Sequence, residues 1–345
     1  MRVLLTGHRG YVGAVLTPML LEAGHDVVGL DTDLYRASTF GPADFADVAT
    51  IEQDIRDAGP EVFDGIDAVV HLAGLSNDPL GDLNAGLTAD INHQASVHLA
   101  ETAKARGVER FVFSSSCSNY GAGVDAWLTE ESAFNPVTPY GHSKVDVEAD
   151  LHHLADDDFS PTYLRSGTAY GFSPRLRFDL VINNLTAWAV CTGAVRLKSD
   201  GSPWRPVVHV RDMAAAFVAA LETPRERVHD EAFNVGRTSE NYQIRDLAEI
   251  IAGVVPGSEV SFADGASADV RDYRVNCDKI LDAMPTFQPE WTAERGAIEL
   301  RDAYNRIGVE LDEFEGPRYR RVDHIRQLIH EDRLDADLRW SRVHT

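Results

Sequence analysis

The chain has 345 residues with 44% hydrophobic and 25% charged content, the composition of a globular protein of one large domain or two ordinary ones. Its formal net charge is −23, a surface that repels nucleic acid and anionic membrane, so neither is an expected partner. No stretch approaches ~18 continuous apolar residues, the first apolar run is too short for a signal peptide, and Cys117, Cys191 and Cys277 fit neither a zinc site nor a disulfide framework, which points to a reducing cytoplasm.

In chain order, residues 2–5 form a short apolar run that ends in a glycine-rich turn. Residues 11–24 follow with helical periodicity, stopped by Gly24. Strands are predicted over 25–31, 67–74 and 110–116, with a helix over 91–107 between the last two. This alternation predicts a doubly wound parallel sheet covered by helices, the α/β Rossmann class. Residues 160–171 read as a strand that leaves the sheet. Helices are predicted over 178–193 and 245–255, and a charged helical tail over 314–340. The organisation expected is a dinucleotide-binding domain over 1–165, to which the chain returns around 206–235. A smaller α/β substrate lobe then takes most of 166–345, including the tail.

The turn reads TGHRGYVG, with Gly7, Gly10 and Gly13 after a strand and before a helix. Glycines there permit a tight turn and close approach of the backbone to a pyrophosphate, which the helix N-terminus attracts. Asp31 ends the second strand about 20 residues further on, the spacing of the ribose-binding carboxylate. A carboxylate in that place accepts both ribose hydroxyls and repels a 2′-phosphate, which favours NAD over NADP. QDIRD follows at 53–57, and Asp54 and Ile55 are placed to bracket the adenine.

PVTPYGHSK at 136–144 sets Tyr140 and Lys144 four residues apart behind a helix-starting Pro139. The two side chains therefore share one helix face. An ammonium beside a phenol favours the phenolate, the form that accepts a proton.

Taken in order, TGHRGYVG, Asp31, HLAG at 71–74, Asn92, FSSSCSNYG at 113–121, PYGHSK at 139–144, YLRSGTAYG at 163–171 and RPVVHVRD at 205–212 give the chain a specific likeness. It resembles the extended short-chain dehydrogenase/reductase family, and within it the nucleotide-sugar epimerases and dehydratases, from residue 1 to roughly 280. The resemblance implies NAD bound by Gly7, Gly10, Tyr11, Val12, Gly13, Asp31, Asp54, Ile55, Leu72, Ala73, Gly74, Asn92 and Lys144. It makes Tyr140 the base that takes a proton from a sugar hydroxyl while hydride passes to NAD, with Ser116 hydrogen-bonded to the same oxygen.

Family members that dehydrate sugars commonly carry an acidic pair after the Ser116 position; this chain has Cys117 and Ser118. That argues for epimerisation at C4 through a 4-keto intermediate, with a dehydratase or ketoreductase as the alternative and a non-catalytic NAD-binding scaffold behind both. Cys117 is a candidate thiol acid/base, its plainer role being a small buried residue. Candidates for the nucleotide-diphosphate sugar are Ser118, Thr168, Asn184, Leu185 and Arg205, whose fork suits a diphosphate, and more weakly Arg271. Arg177 and Phe178 are placed to shape the sugar pocket. The departures are YGF at 170–172 in place of YGP, Thr168 where asparagine is frequent, SAD before Val270, and the long tail. A homodimer through the helix at 91–107 and the one beginning near 139 is implied by the resemblance alone.

Overall fold

The run Arg2–Thr6 forms strand β1, with Leu4 packed on one face of the sheet and Val3 and Leu5 on the other, all fully buried. That alternation is the mark of a strand covered on both sides. The computed structural model describes residues 1–42, 45–76, 85–121, 127–262 and 272–341. After β1 come α1 (Gly13–Glu22), β2 (Asp26–Asp31), β3 (Ala49–Glu52) and β4 (Ala68–His71). A π-helical turn at Ala89–Gln94 leads into α2 (Ala95–Ala105), so the helix predicted over 91–107 begins with a widened turn. β5 (Arg110–Ser116), α3 (Pro139–Leu154) and β6 (Ser160–Ser166) follow.

Beyond β6 the chain leaves the sheet. It forms β7 (Thr168–Tyr170), α4 (Val181–Thr192), β8 (Ala194–Leu197), β9 (Trp204–His209) and α5 (Val210–Glu222). β10 (Glu231–Val235), β11 (Asn241–Gln243), α6 (Ile244–Val254), β12 (Glu259–Phe262), α7 (Asp278–Ala283), α8 (Ala293–Ile307) and α9 (Arg321–His330) complete the order.

The main sheet is seven-stranded in the order β10-β6-β5-β4-β1-β2-β3, with every neighbouring pair parallel. Strand order reverses between β1 and β4, and such a switch point opens a crevice at the carboxyl ends of the strands. The lobe holds two small sheets, β11-β9-β7 and β12-β8. Its own core includes Ile182, Leu185, Leu247, Ile251, Leu300 and Tyr304. Among the described residues no helix is long and apolar enough to cross a membrane.

The tail departs from the sequence expectation twice. After a short helix at Leu311–Phe314 it is helical over Arg321–His330 and not beyond, where Leu334 and Trp340 pair as an antiparallel bridge. Its first residues, Phe314 and Tyr319, pack in the lobe core, but from α9 onward it packs on the dinucleotide-binding half. Ile325 and Leu328 of α9 join the core cluster of Leu4, Leu30 and Leu99, a site the polar tail sequence does not specify. Its backbone is tied down alongside: Ser38 Oγ donates to Arg318 O at 2.7 Å, Trp340 Nε1 to Thr32 O at 2.7 Å, and Arg56 to Asp337 O at 2.8 Å, while Arg339 pairs with Asp57.

Candidate active site

A cleft of about 1190 Å³ opens at the switch point and runs between the main sheet, the lobe and the tail. Gly7, Gly10, Tyr11, Val12 and Gly13 line it. Gly7 adopts φ +74°, its N–H donates to Leu30 O at 2.8 Å, and Gly10 N–H donates to Gly7 O at 3.0 Å. A Cβ at Gly13 would lie 2.2 Å from Gly7 O, and one at Gly7 would lie 2.9 Å from Ala73 N. Only glycine permits this closure, so the turn has the cradle a dinucleotide's pyrophosphate requires. Tyr11 spends its hydroxyl on Gly171 O at 2.7 Å, and its carbonyl accepts from Ser173 Oγ at 2.7 Å, which fastens the turn to the lobe.

At the end of β2 Asp31 lines the cleft, its carboxylate accepting from Arg9 N at 2.9 Å and Asp33 N at 2.7 Å. Burial pushes this carboxyl up, against the pull of the two backbone donors. Asp33 pairs with Arg175 at 2.5 Å and with Arg9 at 3.2 Å. Ile55 lines the cleft beside Asp54, whose carboxylate is held by the Arg56 guanidinium at 2.7 Å. Asp54 therefore serves first as the local cap and counter-ion of Arg56.

At the switch point, His71 Nδ1 meets Thr6 Oγ1 at 2.7 Å and His71 Nε2 meets Ser96 Oγ at 2.8 Å, so one imidazole ties β1 and β4 to α2. Full burial pushes His71 down to about 3, leaving a neutral ring with one donor and one acceptor. Leu72, Ala73 and Gly74 line the cleft, but Asn92 does not. Asn92 Oδ1 accepts from Leu75 N at 2.7 Å and its Nδ2 donates to Leu75 O at 3.0 Å. Expected on the cofactor, Asn92 here bonds the Leu75 backbone with both ends of its amide and so positions the loop that lines the cleft.

α3 begins where Thr138 caps Gly141 N at 3.1 Å and Pro139 takes the first turn. This start aims Tyr140 and Lys144 into the cleft, with Ser116 and Ser118 lining it as well. Lys144 Nζ donates to Ser114 O at 2.7 Å and lies 4.5 Å from the Phe113 ring centre and 5.6 Å from that of Tyr140. Burial lowers the Lys144 ammonium to about 8. Ser116 Oγ accepts from Ser118 N at 3.1 Å, which fixes the turn after β5. One helical turn beyond Lys144, Glu148 is paired with Arg165 at 2.6 Å and bonded to Ser115 and Asn119. This buried network locks α3 onto β5 and β6.

Cys117 is a correction to the expectation. It is 1% exposed, does not line the cleft, and points its thiol at Arg165 O at 3.2 Å. Burial pushes the thiol up, away from any acid/base use near neutrality. Cys117 opens the single turn that Ser116 caps, and that turn carries its side chain into the small cluster of Tyr120, Val275 and Cys277.

At the lobe end, Thr168, Asn184, Leu185 and Arg205 line the cleft. Arg205 is 6% exposed, donates to Trp204 O at 2.8 Å and lies 5.8 Å from the Tyr273 ring centre. Arg271 lies outside the described residues. Phe178 lines the cleft but is mostly core, stacked on Tyr304 and Phe314 at 5.5 and 5.3 Å. Arg177 also lines it and is held by both oxygens of Asp179, at 2.7 and 3.1 Å. Sequence reasoning missed Arg9 and the tail residues Arg320, Arg321 and Leu338, all of which line the cleft, and Arg175, which pairs with Asp33 behind it. Only the run of arginines in the tail hints at them in the sequence.

A family model described as the NAD dependent epimerase/dehydratase family matches residues 3–236. The chain is 28% identical over 333 residues to the UDP-glucose 4-epimerase of Bacillus subtilis, covering 87% of this chain and 94% of that protein. It is 30% identical over 265 residues to the UDP-glucose 4-epimerase of Corynebacterium glutamicum, covering 72% and 79% respectively. Among solved structures, MoeE5 in complex with UDP-glucuronic acid and NAD superposes with a TM-score of 0.76 at 25% identity, covering 89% of this chain and 99% of that one. TunA, an NAD dependent NDP-hexosamine 5,6-dehydratase involved in tunicamycin biosynthesis, superposes at 0.79 with 22% identity, covering 90% and 99%, a likeness of fold.

Proposed function

Since the chain belongs to the NAD dependent epimerase/dehydratase family, we propose that it is an NAD-dependent nucleotide-sugar epimerase that inverts C4. The glycine turn and Asp31 fit the dinucleotide, which supplies a hydride acceptor and donor when bound. Tyr140, Lys144 and Ser116 do the proton chemistry in this reading. The Tyr140 oxygen takes the proton of the sugar's C4 hydroxyl and later returns one, while the buried Lys144 ammonium favours the phenolate. Ser116 faces the same cleft and hydrogen-bonds the sugar oxygen. Arg205, Asn184 and Leu185 hold the nucleotide diphosphate and leave the sugar free to turn.

One observation carries the choice of reaction. The two positions after Ser116 hold a buried thiol and a serine, so no carboxyl follows Ser116 to protonate a leaving hydroxyl. Oxidation and re-reduction at a single carbon need no acid beyond Tyr140. The named UDP-glucose 4-epimerase relatives point the same way.

The test is incubation with a panel of UDP-, dTDP-, GDP- and CDP-sugars without added cofactor, read by mass and proton NMR. An isomer of unchanged mass, inverted at C4, is expected. Tyr140→Phe should lower turnover by at least about a hundredfold with NAD content unchanged. Loss of water from the sugar would instead make the enzyme a dehydratase. The same reading carries a cytoplasmic homodimer through α2 and α3; light scattering that returned only monomer would remove the dimer.

A further inference from the structure

The tail enters the cofactor cleft with a charge. Arg321, the first residue of α9, lines the cleft and donates to Ser76 Oγ at 3.1 Å, while its guanidinium lies 4.2 Å from the Tyr35 ring centre. Arg177 reaches the same hydroxyl at 3.2 Å from the lobe. Ser76 stands two residues beyond Gly74, on the β4 side of the switch point, and Tyr35 follows Asp31 on the β2 side. Two guanidiniums, one from the tail and one from the lobe, thus converge on one neutral hydroxyl in the cleft that the glycine turn and Asp31 also line. Asp179 spends both carboxylate oxygens on Arg177, and Asp33 is taken by Arg175 and Arg9. Burial and the charge of Arg177 lower Arg321 to about 10, the crowding that a bound anion relieves.

The tail is fixed on both sides of that point. Arg318 donates to Thr39 O at 2.8 Å before α9, and Trp340 Nε1 donates to Thr32 O at 2.7 Å after it. Between them Ile325 and Leu328 are buried in the core of the sheet's face, and Leu338 lines the cleft. The tail residues lie outside the matched family region, which ends at residue 236.

We propose that Arg321 is a clamp on the dinucleotide's diphosphate and that the C-terminal tail, through it, latches NAD into the cleft. The inference rests on the NAD-dependent reading above. A guanidinium paired with phosphate makes charge-assisted, bidentate hydrogen bonds, and its loss is felt mainly in the rate of release.

The experiment uses the full chain as wild type, Arg321→Met, which keeps the apolar stem over Tyr35, and Arg321→Lys, which keeps the charge. NAD is extracted from each purified protein and quantified, and the release of bound NADH into excess NAD is followed by fluorescence. Circular dichroism confirms that each variant is folded. Release is expected to be about tenfold or more faster in Arg321→Met, with Arg321→Lys between it and wild type. Arg321→Met that holds and releases the cofactor as wild type does would overturn the latch. So would unchanged release with a raised KM for the nucleotide sugar, which would give the anion site to the substrate. A wild-type protein that neither carries nor binds NAD would overturn the cofactor reading itself, and the latch with it.

Discussion

Lys144 is buried as an ammonium with one backbone carbonyl for a partner, and that burial has a measurable cost. Its fall from 10.5 to about 8 corresponds to about 3 kcal/mol against the charged form inside the fold. Lys144→Met keeps the stem, removes the charge and loses the 2.7 Å bond to Ser114 O, a loss of about 1 kcal/mol. The NAD-free variant is therefore expected to be more stable than wild type by about 2 kcal/mol at pH 7. With an unfolding entropy of about 2.1 cal/mol/K per residue over 345 residues, this raises Tm by about 3 °C. The folded value lies below the unfolded one, so between about 8 and 10.5 the unfolded chain holds a proton that the folded chain has lost. Wild-type stability rises across that window, and the advantage of the variant shrinks and disappears above it. Calorimetry at pH 7 and at intervals up to pH 10.5, alongside turnover, makes the test. A variant no more stable at pH 7, or one whose advantage grows with pH, would refute the reasoning. Turnover should be lost at every pH, a residue retained for chemistry at the expense of stability.

Glu148→Ala strands the Arg165 guanidinium, 7% exposed, without its carboxylate and should destabilise the fold by about 3–5 kcal/mol in chemical unfolding; a loss below about 1 kcal/mol would mean that the pair does not hold α3 to the sheet. Cys117→Ala should keep kcat within about twofold, since the thiol faces Arg165 O rather than the cleft, and lose about 1 kcal/mol of stability. A tenfold fall in kcat would restore the thiol to the reaction.

What the sequence made legible is what lies close along the chain. The glycine turn, Asp31, and the Tyr140–Lys144 pair are local spacings, and each lines the cleft. Asn92 and Cys117 are identities whose orientation depends on what packs around them, and both turn away from the cleft. The arginines are the least legible. Arg175 meets Asp33 across 142 residues of sequence and Arg321 meets Ser76 across 245, so no pattern within an element announces either contact. The tail has the charge of a solvated helix, and only Ile325 and Leu328 betray the face it buries.

The tail also sets an order in time. The main sheet is complete once β10 has been made, whereas Arg318, the first anchor of the roof over the cleft, is translated about 80 residues later, about 4–16 s at ordinary elongation rates. On the ribosome, the floor of the cleft therefore exists before its lid. The arginines of the tail therefore reach the cleft only after the glycine turn, Asp31 and the Tyr140–Lys144 pair are already in place.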